Sequence, residues 1–265
     1  MTSPRTDLDL ATVDAVVLDT DGVITDTART HAAAWKRAFD ELLDNRGARS
    51  GTRPAPFDVE TDYLRLVDGR SRADGARVFL GSRGIVLPEH GRDGTGTAGT
   101  DTLESLLERK TGYFLDEVRT HGVRAFPTTV AFLHELRHRQ AGIAAVSASR
   151  SCGPVLRAAG VDGLVDVRVD GLDAQRLGLA GKPDPALFLE AARRLAVPPA
   201  RCALIEDALV GVEAGRRGGF GLVIGVDRQG RLRREMRELG AHVVVADLAD
   251  VAVVGRHRGT RHPVV

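Results

Sequence analysis

The stretch that most constrains this chain reads Val16-Val-Leu-Asp19-Thr-Asp21-Gly-Val-Ile-Thr-Asp26. Residues 15–18 form an unbroken apolar run, the pattern of a strand buried on both faces, and such strands belong to parallel sheets covered by helices. The run ends in Asp19 and Asp21, at the strand terminus where open α/β sheets place their ligands. In an extended chain, side chains two residues apart point to one side. The two carboxylates therefore repel unless a divalent cation neutralises them or one is tuned to act as an acid. Gly22 lets the chain turn sharply after them. By itself the stretch is equally an acidic loop after a strand, and it leaves function open.

The chain beyond it falls into two patterns. Residues 27–43 carry Ala28, His31, Ala32, Trp35, Ala38, Phe39 and Leu42 at helical spacing, which predicts an amphipathic helix entered directly from the acidic loop. Residues 45–56 are rich in Gly, Arg, Ser and Pro and read as a loop. Short helical segments follow at 63–67 and 73–80, with a turn over 68–72, and a longer helix is predicted over 102–119. Between them, Gly94-Thr-Gly-Thr-Ala-Gly99 fits G-x-G-x-x-G. That pattern binds a dinucleotide only where a strand feeds the glycines and a helix receives the pyrophosphate. Here Glu89-His-Gly-Arg-Asp93 precedes it, so a surface loop is the better reading. A run of helices without a clear strand, placed after the first strand, predicts a helical domain inserted into a loop.

From Phe126-Pro127 onward the pattern alternates. Helices are predicted over 129–139, 154–159, 185–195, 209–217 and 231–239, and strands over 143–146, 165–169, 202–205, 222–226 and 242–245. The expected fold is α/β, a doubly wound, Rossmann-like parallel sheet with an inserted α-helical cap. The α/β core comprises 1–26 and 124–265, and the cap 27–123. The tail from Arg256, with His257, Arg258, Arg261 and His262, reads as a loose solvated end.

Charge narrows the partners. The 37 basic and 36 acidic residues nearly cancel, so overall charge points to neither nucleic acid nor a membrane surface, and phosphate binding must come from a local site. Cys152 and Cys202 are too few for a disulfide framework and are not spaced like a zinc site. No signal-like run opens the chain, and no segment reaches the roughly 18 apolar residues that span a bilayer. A cytoplasmic monomer is expected.

Four predicted strand ends hold reactive groups: Asp19 with Asp21, Ser147, Lys182, and Glu206 with Asp207. Parallel strands present these ends along one edge, so the groups can converge into a metal and phosphate site. Each has a plainer reading. Ser147-Ala148-Ser149 can be a helix N-cap, Lys182 a solvated loop lysine, and Glu206-Asp207 an acidic start to the next helix. Their order and their placement at successive strand ends favour the joint reading.

Asp19-Thr-Asp21-Gly-Val, Ser147 after an apolar strand, Gly181-Lys182-Pro-Asp-Pro185, and Ile205-Glu206-Asp207 followed by Gly211 resemble the four motifs of the haloacid dehalogenase superfamily. The segment from Asp21 to Ala28, with His31, Ala34, Trp35 and Lys36, and Val146-Ser-Ala-Ser-Arg150, resemble its β-phosphoglucomutase-like subgroup. This resemblance implies that Asp19 attacks phosphorus to form an aspartyl-phosphate and that Asp21 is the general acid and base. It implies Mg²⁺ held by Asp19, the Asp21 backbone carbonyl, Glu206 and Asp207. Ser147, the Ala148 N–H and Lys182 then serve the transferring phosphate. Arg72, Lys110, Ser149, Arg150 and His31 are the implied substrate contacts, His31 also as a positioner of Asp21. As solvated cap surface, Arg72 and Lys110 have no such role, and Trp35 at helical spacing is core. Thr111 and Ser151 depart from the asparagine of the subgroup.

The implied activity is interconversion of β-glucose 1-phosphate and glucose 6-phosphate through a bisphosphate. The alternative is a sugar-phosphate phosphatase using the same aspartyl-phosphate. Rivals of other classes are a receiver-type signalling module and a non-catalytic binding protein. The large helical insertion and the second carboxylate argue against the former, and the full set of reactive groups against the latter.

Overall fold

The computed structural model describes residues 6–51, 54–90 and 101–256. Contacts divide the chain into two compact units, one of Met1–Asp26 with Arg124–Val265 and one of Thr27–Val123. The α/β unit opens with β1 (Thr6–Asp9) and β2 (Ala15–Asp19). The chain then passes into the helical unit, with α1 (Ala28–Ser50), a π-helical turn (Tyr63–Val67), α2 (Arg72–Ser82) and α3 (Leu103–His121). It returns through α4 (Pro127–His138), β3 (Gly142–Val146), α5 (Cys152–Ala158), β4 (Val167–Val169) and α6 (Gly171–Leu177). Next come α7 (Ala186–Arg194), β5 (Cys202–Glu206), α8 (Leu209–Arg217) and β6 (Leu222–Val226). The described chain closes with α9 (Arg233–Glu238), β7 (Val243–Val245) and β8 (Val251–Val254).

Six strands form one all-parallel sheet in the order β4-β3-β2-β5-β6-β7, while β1 and β8 pair parallel as a separate ribbon. This is the doubly wound α/β fold. Every residue of β2 and β5 is buried, as helices on both faces require. The alternation of a strand divides the core. Val16 and Leu18 pack with Phe132, Leu133 and Leu136 of α4 on one face. Ala15 and Val17 pack with Leu187 and Phe188 of α7 and Val212 of α8 on the other. Register then brings the strand ends together: Asp19 lies opposite Val146, and Leu18 opposite Ile205. Ser147 and Glu206 are thereby delivered beside Asp19.

The helical unit has its own core. Phe39 lies 4.2 Å from Phe79 and 5.0 Å from Phe57, ring centroid to centroid, and Trp35 stacks on Phe39 at 4.7 Å.

Several sequence expectations shift. The predicted loop at 45–56 is helical up to Ser50, where Gly51 at φ +69° ends α1 in the left-handed conformation. Packing of α1 against α3 outweighs the cost of about 1 kcal/mol that a helical glycine such as Gly47 carries. The strand predicted from Val165 begins at Val167. The short β1 and β8, and α6 with its Asp170–Asp173 capping box, had not been predicted. Each is too short for a periodicity to register. Residues 91–100, which include the Gly-rich segment, and residues 257–265 of the tail lie outside the described residues. No described helix is long and apolar enough to cross a membrane.

Candidate active site

Asp19 ends β2 with its side chain on the α7 face of the sheet. It is 5% exposed, and both carboxylate oxygens are engaged: Oδ1 accepts from Lys182 Nζ, and Oδ2 accepts from the Asp21 N–H at 2.9 Å. The second bond turns the chain back on itself, so Asp19 and Asp21 take up different environments. Asp21 Oδ2 instead accepts the Ser147 hydroxyl at 2.7 Å. Ser147 is fully buried after β3, and its oxygen accepts the Ser149 N–H at 3.0 Å. Its single proton is therefore committed to Asp21, and service to a phosphate requires that hydroxyl to rotate.

Lys182 is 2% exposed, and its ammonium reaches both Asp19 Oδ1 and Glu206 Oε1. The reading of Lys182 as a solvated loop lysine is thus overturned. Burial works against its charge, but the two carboxylates outweigh that and leave its pKa raised. Burial also pushes the Asp19 carboxyl well above the usual carboxylate range, with Lys182 pulling the other way and Glu206 and Asp21 adding to the rise. Glu206 is fully buried, and its other oxygen accepts the Ala208 N–H at 2.7 Å. Glu206 therefore anchors the lysine and ties down the turn into α8, so a metal-ligand role for it draws on the remaining lone pairs.

Glycines make room for the acids. A Cβ on Gly22, which sits at φ +97°, would overlap Asp207 Oδ2, and one on Gly211 would overlap Glu206 Oε1. The function of Gly211, which the motif alone does not reveal, is to leave space for Glu206. Thr20 carries no signal in the sequence: its hydroxyl donates to the Val146 carbonyl at 3.0 Å and lies 3.3 Å from Cys152 Sγ. Burial pushes the Cys152 thiol up to about 12, which leaves it unreactive.

The corner after β3 is held by α6. The Gly171 N–H donates to the Ser149 carbonyl at 3.1 Å, and the Ser151 N–H to Ser149 Oγ at 3.2 Å. Ala148 and Arg150 pack so closely on Gly171 that a Cβ there would lie 2.8 Å from the Ala148 carbonyl oxygen and 3.1 Å from Arg150 Cγ.

Four carboxylates, those of Asp19, Asp21, Glu206 and Asp207, thus lie at or just after the ends of β2 and β5, whereas Lys182, expected at a strand end, reaches Asp19 and Glu206 from the loop between α6 and α7. Among the described residues no three metal-binding side chains converge into a ready-made shell. That donor set fits Mg²⁺, which keeps several waters and is commonly held by one or two carboxylates together with substrate phosphate. The space that Gly22 leaves for the Asp207 carboxylate supports the same fit.

Within the helical unit, Lys110 is 6% exposed, so it too is not the solvated surface lysine of the plainer reading. Its Nζ lies 2.7 Å from His31 Nδ1 and 5.1 Å and 5.4 Å from the Phe114 and Trp35 ring centroids. His31 stacks on Phe114 at 4.1 Å. An ammonium only donates, so Nδ1 accepts and the imidazole proton lies on Nε2. Arg72 begins α2 and donates from Nη1 to Thr111 Oγ1 at 2.9 Å. Thr111, one of the departures from the subgroup, is therefore a partner of that arginine.

A family model described as haloacid dehalogenase-like hydrolase matches residues 13–219. A β-phosphoglucomutase from Mycobacterium bovis is 42% identical over 241 residues, covering 90% of this chain and 91% of that protein. A trehalose-phosphate phosphatase from Mycobacterium leprae is 38% identical over 130 residues, 48% of this chain and 28% of that protein. Among solved structures, a β-phosphoglucomutase from Clostridium difficile superposes with a TM-score of 0.67 at 22% identity, covering 89% of this chain and 92% of that one. This last likeness is one of fold.

Proposed function

The chain belongs to the haloacid dehalogenase-like hydrolase family, as an enzyme of its β-phosphoglucomutase-like subgroup, and from that premise we propose that it is a Mg²⁺-dependent mutase. It interconverts β-glucose 1-phosphate and glucose 6-phosphate through an aspartyl-phosphate and a bisphosphate. The observation that carries this reading is the separation of the two carboxylates. Asp19 is fixed between the Lys182 ammonium and the Asp21 N–H, whereas Asp21 is oriented by Ser147.

In this mechanism the Asp19 carboxylate attacks phosphorus and the sugar oxygen leaves. Asp21 gives that oxygen its proton and takes the proton of the next attacking hydroxyl. Lys182, with the Ala148 N–H and the Ser147 hydroxyl, balances charge on the transferring phosphoryl oxygens. Asp19, the Asp21 carbonyl, Glu206 and Asp207 would hold Mg²⁺, which would supply positive charge beside the Asp19 carboxylate. Arg72, Ser149 and Arg150 are the proposed grip on the phosphate that is not transferred, where a planar guanidinium matches the oxygens. Lys110 and His31 are proposed for the sugar. A cytoplasmic setting is part of the proposal, and the two free, buried thiols of Cys152 and Cys202 are compatible with it.

A phosphatase is the second reading, favoured by the partial similarity to the trehalose-phosphate phosphatase. One assay separates them. The protein is given β-glucose 1-phosphate, Mg²⁺ and a trace of glucose 1,6-bisphosphate, and glucose 6-phosphate and free phosphate are followed separately. Isomerisation without phosphate release is expected, and rapid phosphate release with little glucose 6-phosphate would overturn the mutase. Asp19→Asn should abolish both reactions, so substantial remaining turnover would remove Asp19 as nucleophile.

A further inference from the structure

The Lys182 ammonium has three sides to satisfy, and carboxylates occupy two of them. The third is covered by the face of Phe188, whose ring centroid lies 4.7 Å from Nζ. Phe188 is fully buried in α7. Its ring forms a T-shaped pair with Phe220, centroids 6.2 Å apart and planes at 80°. The path from Lys182 to Phe188 is short and held: Asp184 accepts the Ala186 N–H at 2.9 Å where α7 starts.

A leucine or methionine would also be at home in this cluster, which is built mostly of Ala, Val and Leu side chains. Neither would present the negative face of an aromatic quadrupole to a buried cation. Nor does packing alone require the ring to lie over the ammonium.

We propose that Phe188 is a positioning residue for phosphoryl transfer, its ring face holding the Lys182 ammonium in register with Asp19 and Glu206. This rests on the reading of Asp19 and Lys182 as the transfer machinery. Without the ring, the long lysine side chain can swing its charge away from Asp19 while keeping Glu206. The carboxylate then loses its fixed counter-charge for part of the time. The lysine stays protonated throughout, and the ring acts on where the charge lies.

The test uses the full chain with 4-fluoro-, 3,5-difluoro- and 3,4,5-trifluorophenylalanine at position 188, a series that drains charge from the ring face at nearly constant volume. Two reactions are read, β-glucose 1-phosphate turnover and acetyl phosphate hydrolysis. The metal-free protein is also followed by NMR at the Lys182 side-chain protons, which lie in the shielding zone of the ring. We expect kcat to fall stepwise along the series, to a loss of about tenfold at the trifluoro ring, a size set by a desolvated cation–π contact. KM should hardly move. Phe188→Leu should show a comparable loss and a downfield move of the Lys182 protons, and Phe188→Tyr should retain activity.

A flat fluorine series, or Lys182 resonances equal in wild type and Phe188→Leu, would overturn the proposal. Should the wild type turn over neither substrate, the reading of the site as transfer machinery fails, and with it Phe188 as a positioner for transfer. The resonances would then report separately whether the ring holds the lysine at all.

Discussion

Asp19 is the place where opposing effects are best separated. Burial raises the cost of its charge, Lys182 lowers it, and Glu206 raises it again. A single ammonium serves two buried carboxylates, so its removal leaves both without a counter-charge, a loss that typically costs about 3–5 kcal/mol. Lys182→Met should accordingly lower the stability of the metal-free protein by about that amount, with Mg²⁺ recovering part of it. Denaturant unfolding with and without Mg²⁺ reads this, and an equal loss in both conditions would place the cation elsewhere. The acids were legible in the sequence because positions at strand ends are local properties, and the lysine by its place in the order of motifs, although it lies in the loop between α6 and α7 and not at a strand end. Phe188 and Thr20 were not, since nothing in an apolar stripe or a strand-end threonine says which side chain it will touch.

At the scale of elements, α8 shows how a helix yields to the site. Alanine normally stabilises a helix interior over glycine by about 1 kcal/mol. At Gly211 that preference is reversed, because the new methyl would overlap the Glu206 carboxylate. Gly211→Ala should therefore destabilise the protein by about 2–4 kcal/mol, the cost of disturbing a buried pair less the helix gain, and should depress activity with it. A thermal melt no lower than that of the wild type would refute this.

The α6–α7 junction gives a pH test. Burial opposes the charge of Asp173, but hydrogen bonds from Arg194 and Arg176 and from the Asp170 N–H prevail and hold it at about 2 against an ordinary 3.8. A carboxyl whose pKa is depressed in the folded state binds fewer protons there than when unfolded. Its contribution is complete above the unfolded value and disappears as pH falls through the folded one. The stability gap between wild type and Asp173→Asn should narrow between pH 4 and pH 2, measured by urea unfolding. A constant gap across that window would show that these bonds do not couple to folding. Neither partnership was visible beforehand, because α6 is only seven residues long and its capping box is written in two aspartates among many.

The molecule as a whole holds two sets of core contacts, one around the parallel sheet and one around the Phe39–Phe57–Phe79 rings. Phe79→Ala should cost about 3–5 kcal/mol, and the loss should be confined to one unit. Hydrogen exchange is expected to quicken in α1, α2 and α3 while β2 and β5 keep their protection; uniform loss across the chain would show the two cores to be one cooperative block. Sequence alone determined the α/β class, the strand that ends in Asp19 just before Asp21, and the order of the reactive groups along the chain. Those follow from periodicity and from the few residue types that terminate buried strands. The tertiary structure decided which charges meet: the register that sets Ser147 and Glu206 beside Asp19, the glycines that leave room for carboxylates, and the ring that backs Lys182. The physical reason is range. A propensity or a periodicity is written in neighbouring residues, whereas an electrostatic partnership such as that of Lys182 with Asp19 spans 163 positions of the chain and exists only once the sheet has brought both to one edge.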